Sequence, residues 1–108
     1  MALPIEYHEL WFESFPLKST SGHRDSIALR LRAGQKLPAG IKKECRDRSV
    51  KPRALLLECS KKLLTDYPLG TRFRLNATLT DREGEGLFFY TYHGWPPIKF
   101  IEPASGLE

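Results

Sequence analysis

Alternation of apolar and polar residues predicts β-strands in two separate segments. From Ser26 to Ala33 and from Thr71 to Thr80 the alternation has the period of two that is typical of a half-buried strand. The positions predicted to face the core are Ile27, Leu29, Leu31, Phe73, Leu75, Ala77 and Leu79. The positions predicted to face outward include Arg30, Arg32, Arg72 and Arg74. A basic outer face that recurs in two separate strands is the strongest functional indication in the sequence.

A β-hairpin is predicted after the second of these strands. The polar, glycine-containing segment Asp81 to Gly86 can turn the chain back into an aromatic strand, Leu87 to His93. That strand is apolar at nearly every position, so the register of the hairpin decides which side chains are exposed. We favour a two-residue turn at Glu83 and Gly84. This turn would place Phe89, His93 and Trp95 on the outer face, with His93 beside Arg74 and Trp95 beside Arg72. A turn of odd length would instead expose Phe88, Tyr90 and Tyr92.

Three further segments complete the predicted elements. Ile5 to Phe15 is rich in aromatic and β-favouring residues and predicts a strand whose polar residues are the acidic Glu6, Glu9 and Glu13. Pro52 to Asp66 could be a strand by local composition, but Leu56, Cys59 and Leu63 recur at helical spacing, so we predict a helix there. Ile98 to Ile101 predicts a short edge strand after Pro96 and Pro97.

These elements together predict an α+β or mainly β fold. We expect a bent antiparallel sheet of about five strands, an open small barrel of the OB-like or SH3-like kind, with one helix at about 52–66. The chain of 108 residues is long enough to bury a core without disulfides. Residues 1–103 are predicted to form a single small domain, and residues 104–108 a frayed tail that could include part of an expression scar.

The net charge of the chain adds a weak indication about its partners. The formal net charge of +4 and a pI of about 9.2 permit a polyanionic partner without requiring one. A basic segment follows the structure-breaking residues Gly34 to Gly40, and its cations include Lys42, Lys43, Arg46 and Arg48. A solvated loop or a short helical turn is the simpler interpretation of this segment. A patch that contacts phosphates is the alternative.

The sequence offers little for other chemistry. Cys45 and Cys59 lack metal-ligand spacing, so a reduced pair is expected rather than a disulfide or a metal site, and no cofactor is expected. No apolar run reaches the length of about 18 residues that a membrane span needs, so no membrane partner is expected. The N-terminal residues do not resemble a secretory signal, which predicts a cytoplasmic protein.

Three function classes remain, and nucleic-acid binding leads. Small antiparallel sheets bind single strands when arginines track the phosphates and exposed rings stack on bases. The predicted phosphate contacts are Arg30, Arg32, Arg72 and Arg74, with Lys42, Lys43, Arg46 and Arg48 extending the footprint. The predicted base contacts are Phe89, His93 and Trp95. The alternative is a protein-interaction or self-association module that uses the aromatic row or the edge of the last strand. A small-molecule pocket or an enzyme is third, because His8, His23 and His93 show no catalytic spacing.

Overall fold

The computed structural model describes residues 6–17, 26–82 and 86–103. Most of the regular structure is β. The elements in chain order are β1 (His8–Leu17), β2 (Ser26–Leu31), α1 (Ala39–Asp47), a 3-10 turn (Pro52–Ala54), β3 (Leu57–Glu58), α2 (Lys62–Thr65), β4 (Arg72–Arg82), β5 (Gly86–Tyr90) and β6 (Lys99–Ile101).

The strands form one six-stranded sheet in the order β2-β1-β4-β5-β3, with β6 also paired to β4. Among the strands in the described residues, all pairs are antiparallel except the short parallel pair of β3 with β5. The sheet is not closed, but it bends enough for Leu56, just before β3, to form an isolated bridge with Arg30 of β2. This mainly β architecture with two helices confirms the predicted fold class.

The inward positions predicted from alternation form the core. Leu29, Leu31, Phe73, Leu75, Ala77 and Leu79 are buried, whereas Ile27, near the start of β2, is 36% exposed. β1 adds Leu10 and Phe12, and β5 adds Phe89. Since burial of apolar area is the main favourable term in folding, a strand with one apolar face turns that face inward. The alternating outward positions of β1, β2 and β4 therefore share the opposite surface.

The predicted hairpin register is wrong. Leu79 pairs with Phe89 and Arg82 pairs with Gly86, so three residues connect the strands and the odd-length alternative holds. Phe89 is fully buried, with its ring 5.6 Å from that of Phe12 in an edge-to-face contact. A two-residue turn would have exchanged the faces of β5 and taken this ring out of the core.

The predicted helix over 52–66 is also wrong. Its first part holds the 3-10 turn and β3, and only Lys62–Thr65 is α-helical. Leu55 and Leu57 are buried while Leu56 is 38% exposed, which is an alternation of period two. The run of three leucines fits both periods. Its parallel partner decides between them: the amide of Phe89 donates to the Leu56 carbonyl at 2.9 Å, and the amide of Thr91 to the Glu58 carbonyl at 3.1 Å.

The longer helix, α1, lies instead in the basic segment. Two apolar residues one turn apart, Ile41 and Cys45, are its buried side chains. Two ion pairs at i,i+4 spacing support its solvent side: Lys43 with Asp47 and Arg48 with Glu44, each at 2.8 Å. The basic segment is therefore mainly a helix, longer than the loop or short turn that its composition suggested.

Some sequence-based predictions concern residues beyond these ranges. The segment Lys18 to Asp25, whose serine, threonine and glycine residues predict a loop between the first two strands, lies outside the described residues. The tail at 104–108 and Glu83 and Gly84 of the predicted turn also lie outside them. In the ranges that are described, no helix combines the length and the apolar character needed to cross a membrane.

Candidate functional site

The outward face of β1, β2, β4 and β6 carries most of the paired charges on the sheet. We call this surface the basic face. It comprises Glu9, Trp11, Glu13, Arg30, Arg32, Arg53, Arg72, Arg74 and Lys99. It brings together the four arginines that alternation predicted, because β1 lies between β2 and β4 and aligns them across the sheet.

The first row of the basic face runs across four strands. Trp11 lies opposite Arg74, and Arg74 lies opposite Lys99. On the other side of β1, the Arg32 amide donates to the Trp11 carbonyl at 3.0 Å and continues the β1–β2 ladder by one residue. At about 4.8 Å between neighbouring strands, this row spans roughly 14 Å. It presents three cations and one indole ring side by side.

The second row is centred on a carboxylate. Glu13 lies opposite both Arg30 and Arg72, and its Oε2 accepts hydrogen bonds from Arg30 Nε at 3.0 Å and from an Arg53 guanidinium nitrogen at 3.1 Å. Arg53 comes from the 3-10 turn and also donates to the Leu31 carbonyl at 3.1 Å, which ties it to β2. Ile101 ends this row beside Arg72.

The side chain of Gln35 holds the backbone of Trp11 in place through hydrogen bonds. The Trp11 amide donates to Gln35 Oε1 at 3.0 Å, and the Gln35 amide nitrogen donates to the Trp11 carbonyl at 2.7 Å and to the Arg32 carbonyl at 3.0 Å. The glutamine amide thus takes the place that a strand backbone would occupy beyond Arg32. Satisfied backbone groups at this point keep the row in register.

The acidic residues of β1 neutralise part of the basic face. Arg74 pairs with Glu9 at 2.6 Å, and Arg30 and Arg53 share Glu13. Among the residues that the structure describes, Arg32, Arg72 and Lys99 have no carboxylate within ion-pair distance. Side chains in these pairs are between 24% and 50% exposed, so each pair stabilises the fold by no more than about 1 kcal/mol.

Sequence reasoning missed four residues of this surface region. Trp11 and Phe15 could have been predicted, because they alternate with the buried residues of β1 in the same way as Glu9 and Glu13. The Arg30 guanidinium lies over the Phe15 ring, 4.3 Å from its centroid. Lys99 was findable as an outward residue of the last strand. Arg53 is one of the cations of the basic segment, but nothing in the sequence places it on the sheet, since only the bend of the chain brings the 3-10 turn beside β1 and β2.

The predicted aromatic contacts are placed differently from expectation. Phe89 is in the core and cannot stack on a base. His93 and Trp95 do not flank Arg74 and Arg72, because β5 ends at Tyr90 and β6 supplies the partners. His93 stacks on Tyr90, with ring centroids 6.0 Å apart.

The predicted basic extension belongs to another part of the molecule. Lys42, Lys43 and Arg46 lie on α1 and Arg48 at its end. Arg48 also forms an ion pair with Asp81 of β4 at 2.9 Å. Asp81 lies seven residues (81 − 74) beyond Arg74 on this strand, so the two residues are roughly 24 Å apart at the rise of an extended strand. The Lys43 hydrogen bond lowers the pKa of Asp47 and raises that of Lys43. The α1 cations therefore do not extend the basic face.

The two cysteines are free and poorly suited to nucleophilic chemistry. Cys45 is buried, and Cys59 is partly buried. Burial, aided by the nearby charge of Glu58, raises the pKa of the Cys59 thiol to about 11, and burial also raises the pKa of Cys45. Both groups are therefore mainly thiols at neutral pH, whereas the thiolate is the reactive form.

A cavity of about 220 Å³ lies between α1 and the sheet. Its lining includes His8, Glu6 and Glu44, and His8 Nε2 lies 3.5 Å from Glu6 Oε1. A histidine beside a carboxylate is the arrangement that an enzyme hypothesis would look for. The cavity is smaller than the usual 300–1,000 Å³ or so of small-molecule sites, and its described lining holds no cysteine. It supports that hypothesis less than the basic face supports a polyanion site.

Comparison with known proteins does not assign the chain to a family. No protein-family model, no curated protein and no solved structure matches the chain. The geometry and charge of the described surfaces are therefore the basis for assigning a function.

Proposed function

We propose that the domain binds nucleic acid through the basic face, with arginines on the phosphate backbone. One observation carries this proposal: Arg32, Arg72 and Lys99 have no carboxylate partner among the described residues, and Arg32 and Lys99 lie in one row with the Trp11 ring and Arg74. Cations interleaved with an aromatic ring on one surface are the combination that binds a charged backbone and its bases.

The neighbouring ion pairs favour the same interpretation. Arg30, Arg53 and Arg74 are held in place by Glu9 and Glu13. Because these pairs are partly exposed and weak, a phosphate can approach the remaining guanidinium donors without a large loss of stability. The face holds six cations and two carboxylates, so it keeps an excess positive charge toward a polyanion.

A salt titration of the protein tests the proposal. A fluorescein-labelled single-stranded oligonucleotide should bind at 50 mM salt and weaken as salt rises. With about three to four phosphates neutralised, the slope of log affinity against log salt should be roughly −2 to −3. This corresponds to a loss of affinity of about 20- to 50-fold between 50 and 200 mM salt. Fluorescence anisotropy measures both quantities.

Two results would contradict the proposal. One is the absence of binding at 50 mM salt at protein concentrations up to about 100 μM, which is the range of ordinary non-specific affinity. The other is binding whose affinity does not change with salt, since contacts to phosphates must release counterions.

Self-association is a second candidate because of one observation on β6. All three residues of β6 are exposed, including Phe100 and Ile101, and this strand is paired only to β4 within the described part of the chain. An unpaired strand edge with apolar side chains is a template for a strand of a second copy.

This second candidate predicts a concentration-dependent dimer in size-exclusion chromatography with light scattering. Ile101→Lys should then give a monomer, because a lysine on an edge strand opposes edge-to-edge pairing. Ile27→Lys, which alters a similarly exposed isoleucine on another strand, should leave the dimer unchanged. A protein that is monomeric at all concentrations up to about 100 μM, where a weak dimer would still be detected, excludes the candidate.

A further inference from the structure

A tight turn outside the sheet ladder presents two large aromatic rings to solvent. The Trp95 amide donates to the Tyr92 carbonyl at 3.1 Å and closes the turn Tyr92–Trp95. Tyr92 is 52% exposed and Trp95 is 45% exposed, although most large rings in this chain lie at least half-buried. We call this pair of rings the aromatic turn.

Gly94 shows that the aromatic turn has a specific geometry. A Cβ atom at this position would collide with Cε2 of the Tyr92 ring. The ring therefore lies directly against the glycine backbone, and any other residue type at this position would force the Tyr92 ring to move. Trp95 contacts Tyr92 edge-to-face with centroids 5.5 Å apart, and it contacts Tyr7 in the same way at 5.1 Å. These contacts hold the exposed rings in place without burying them in the core.

The aromatic turn is attached to the same strands as the basic face. Thr91 Oγ1 donates to the Asn76 carbonyl at 2.7 Å before the turn, and the Ile98 amide donates to the Arg74 carbonyl at 2.9 Å after it. Tyr7, which contacts Trp95, precedes Trp11 by four residues (11 − 7), roughly 14 Å along an extended chain. The exposed rings thus stand at one end of the basic face.

We infer that the aromatic turn is a base-stacking site and that the ligand of the basic face is single-stranded. This inference rests on the proposed function. In a duplex the faces of the bases are covered by stacking on their neighbours, so rings beside the phosphate-binding cations can be used only by a strand with accessible bases. The basic face holds the backbone, and Tyr92 and Trp95 hold a base at its end.

The test compares two ligands with equal phosphate number. One is an eight-nucleotide thymidine oligomer, and the other has the same length but only abasic sites. The wild-type protein should bind the thymidine oligomer more tightly. Tyr92→Ala and Trp95→Ala should each weaken thymidine binding by roughly 5- to 100-fold, leaving abasic binding and the salt slope unchanged. Phe100→Ala, which removes a ring of similar exposure (46%), should change neither affinity.

A second readout does not depend on removing either ring. The chain has two tryptophans, so Trp11→Phe leaves Trp95 as the sole indole. Its fluorescence should be quenched by the thymidine oligomer and not by the abasic one, as expected for a ring that stacks on a base.

The outcomes separate this inference from the proposed function. Equal, salt-dependent binding of both oligomers would overturn base stacking and leave phosphate binding by the basic face intact. Binding of neither oligomer would overturn both proposals. If Trp95→Ala changes the oligomeric state in light scattering and not the affinity for thymidine, the rings serve a second copy of the chain and the stacking inference is wrong.

Discussion

Replacing Phe89 with alanine should lower the free energy of unfolding by about 3–5 kcal/mol. The Phe89 side chain is fully buried and contacts the ring of Phe12 edge-to-face at 5.6 Å. It lies where β5 joins β4 on one side and β3 on the other, so the cavity left by alanine cannot close without moving three strands. Urea unfolding followed by circular dichroism measures the change, and the m-value should stay constant.

The adjacent Phe88 provides the matched control for this prediction. It is only half-buried and points to the other face of β5. Phe88→Ala removes the same atoms and should cost about 1 kcal/mol, the typical value for a point substitution. If Phe88→Ala proves the more damaging of the two, the hairpin has the two-residue turn, and the pairing of Leu79 with Phe89 is wrong.

The double substitution Arg32→Ala/Arg72→Ala should reduce affinity for single-stranded oligonucleotides on the order of 100-fold at 50 mM salt. Each hydrogen bond to a charged group contributes about 1.5 kcal/mol, and 1.4 kcal/mol corresponds to a factor of ten. The salt slope should become shallower by about 1.4, or 0.7 for each phosphate that is no longer neutralised. Neither arginine has a carboxylate partner among the described residues, so stability should change by about 0.5 kcal/mol or less.

Lys42→Ala/Arg46→Ala is the control with an equal change in charge. Both double variants lower the formal net charge of +4 by two. Lys42 and Arg46 are exposed on α1 and, within the described ranges, also have no carboxylate at ion-pair distance. This control should lose less than about threefold in affinity, through the weakened overall field alone. Equal losses in the two double variants would mean that net charge attracts the oligonucleotide and that the basic face has no special role.

Hydrophobic alternation predicted much of the fold because it is a local signal. In β2 and β4 the inward residues are apolar and most outward residues are arginines or other polar groups, so only one orientation buries the apolar side chains. The same reasoning would have placed Trp11 and Phe15 on the outward face of β1. Each of these assignments follows from the side-chain period of a strand and needs no knowledge of its partner.

The errors arose where local patterns allowed two solutions. β5 is apolar on both faces, so its own pattern does not decide which face is buried. The odd number of residues in the turn and the contact with the Phe12 ring bury Phe89 and leave Phe88 only half-buried. Leu55 to Leu57 fit both a helix and a strand, and their pairing with β5 selects the strand. α1 needs only Ile41 and Cys45 to contact the core, a signal too short to distinguish from a solvated segment.

By itself, the sequence determined that two strands have arginines on the face opposite their apolar residues, since burying a guanidinium without a partner costs far more free energy than burying a leucine releases. Tertiary structure alone decided how these arginines are arranged. The insertion of β1 between β2 and β4 aligns them into rows, brings Glu9 and Glu13 against three of the cations, and leaves Arg32 and Arg72 without a carboxylate partner among the described residues. Strand order and register depend on contacts between distant residues, which no local pattern encodes.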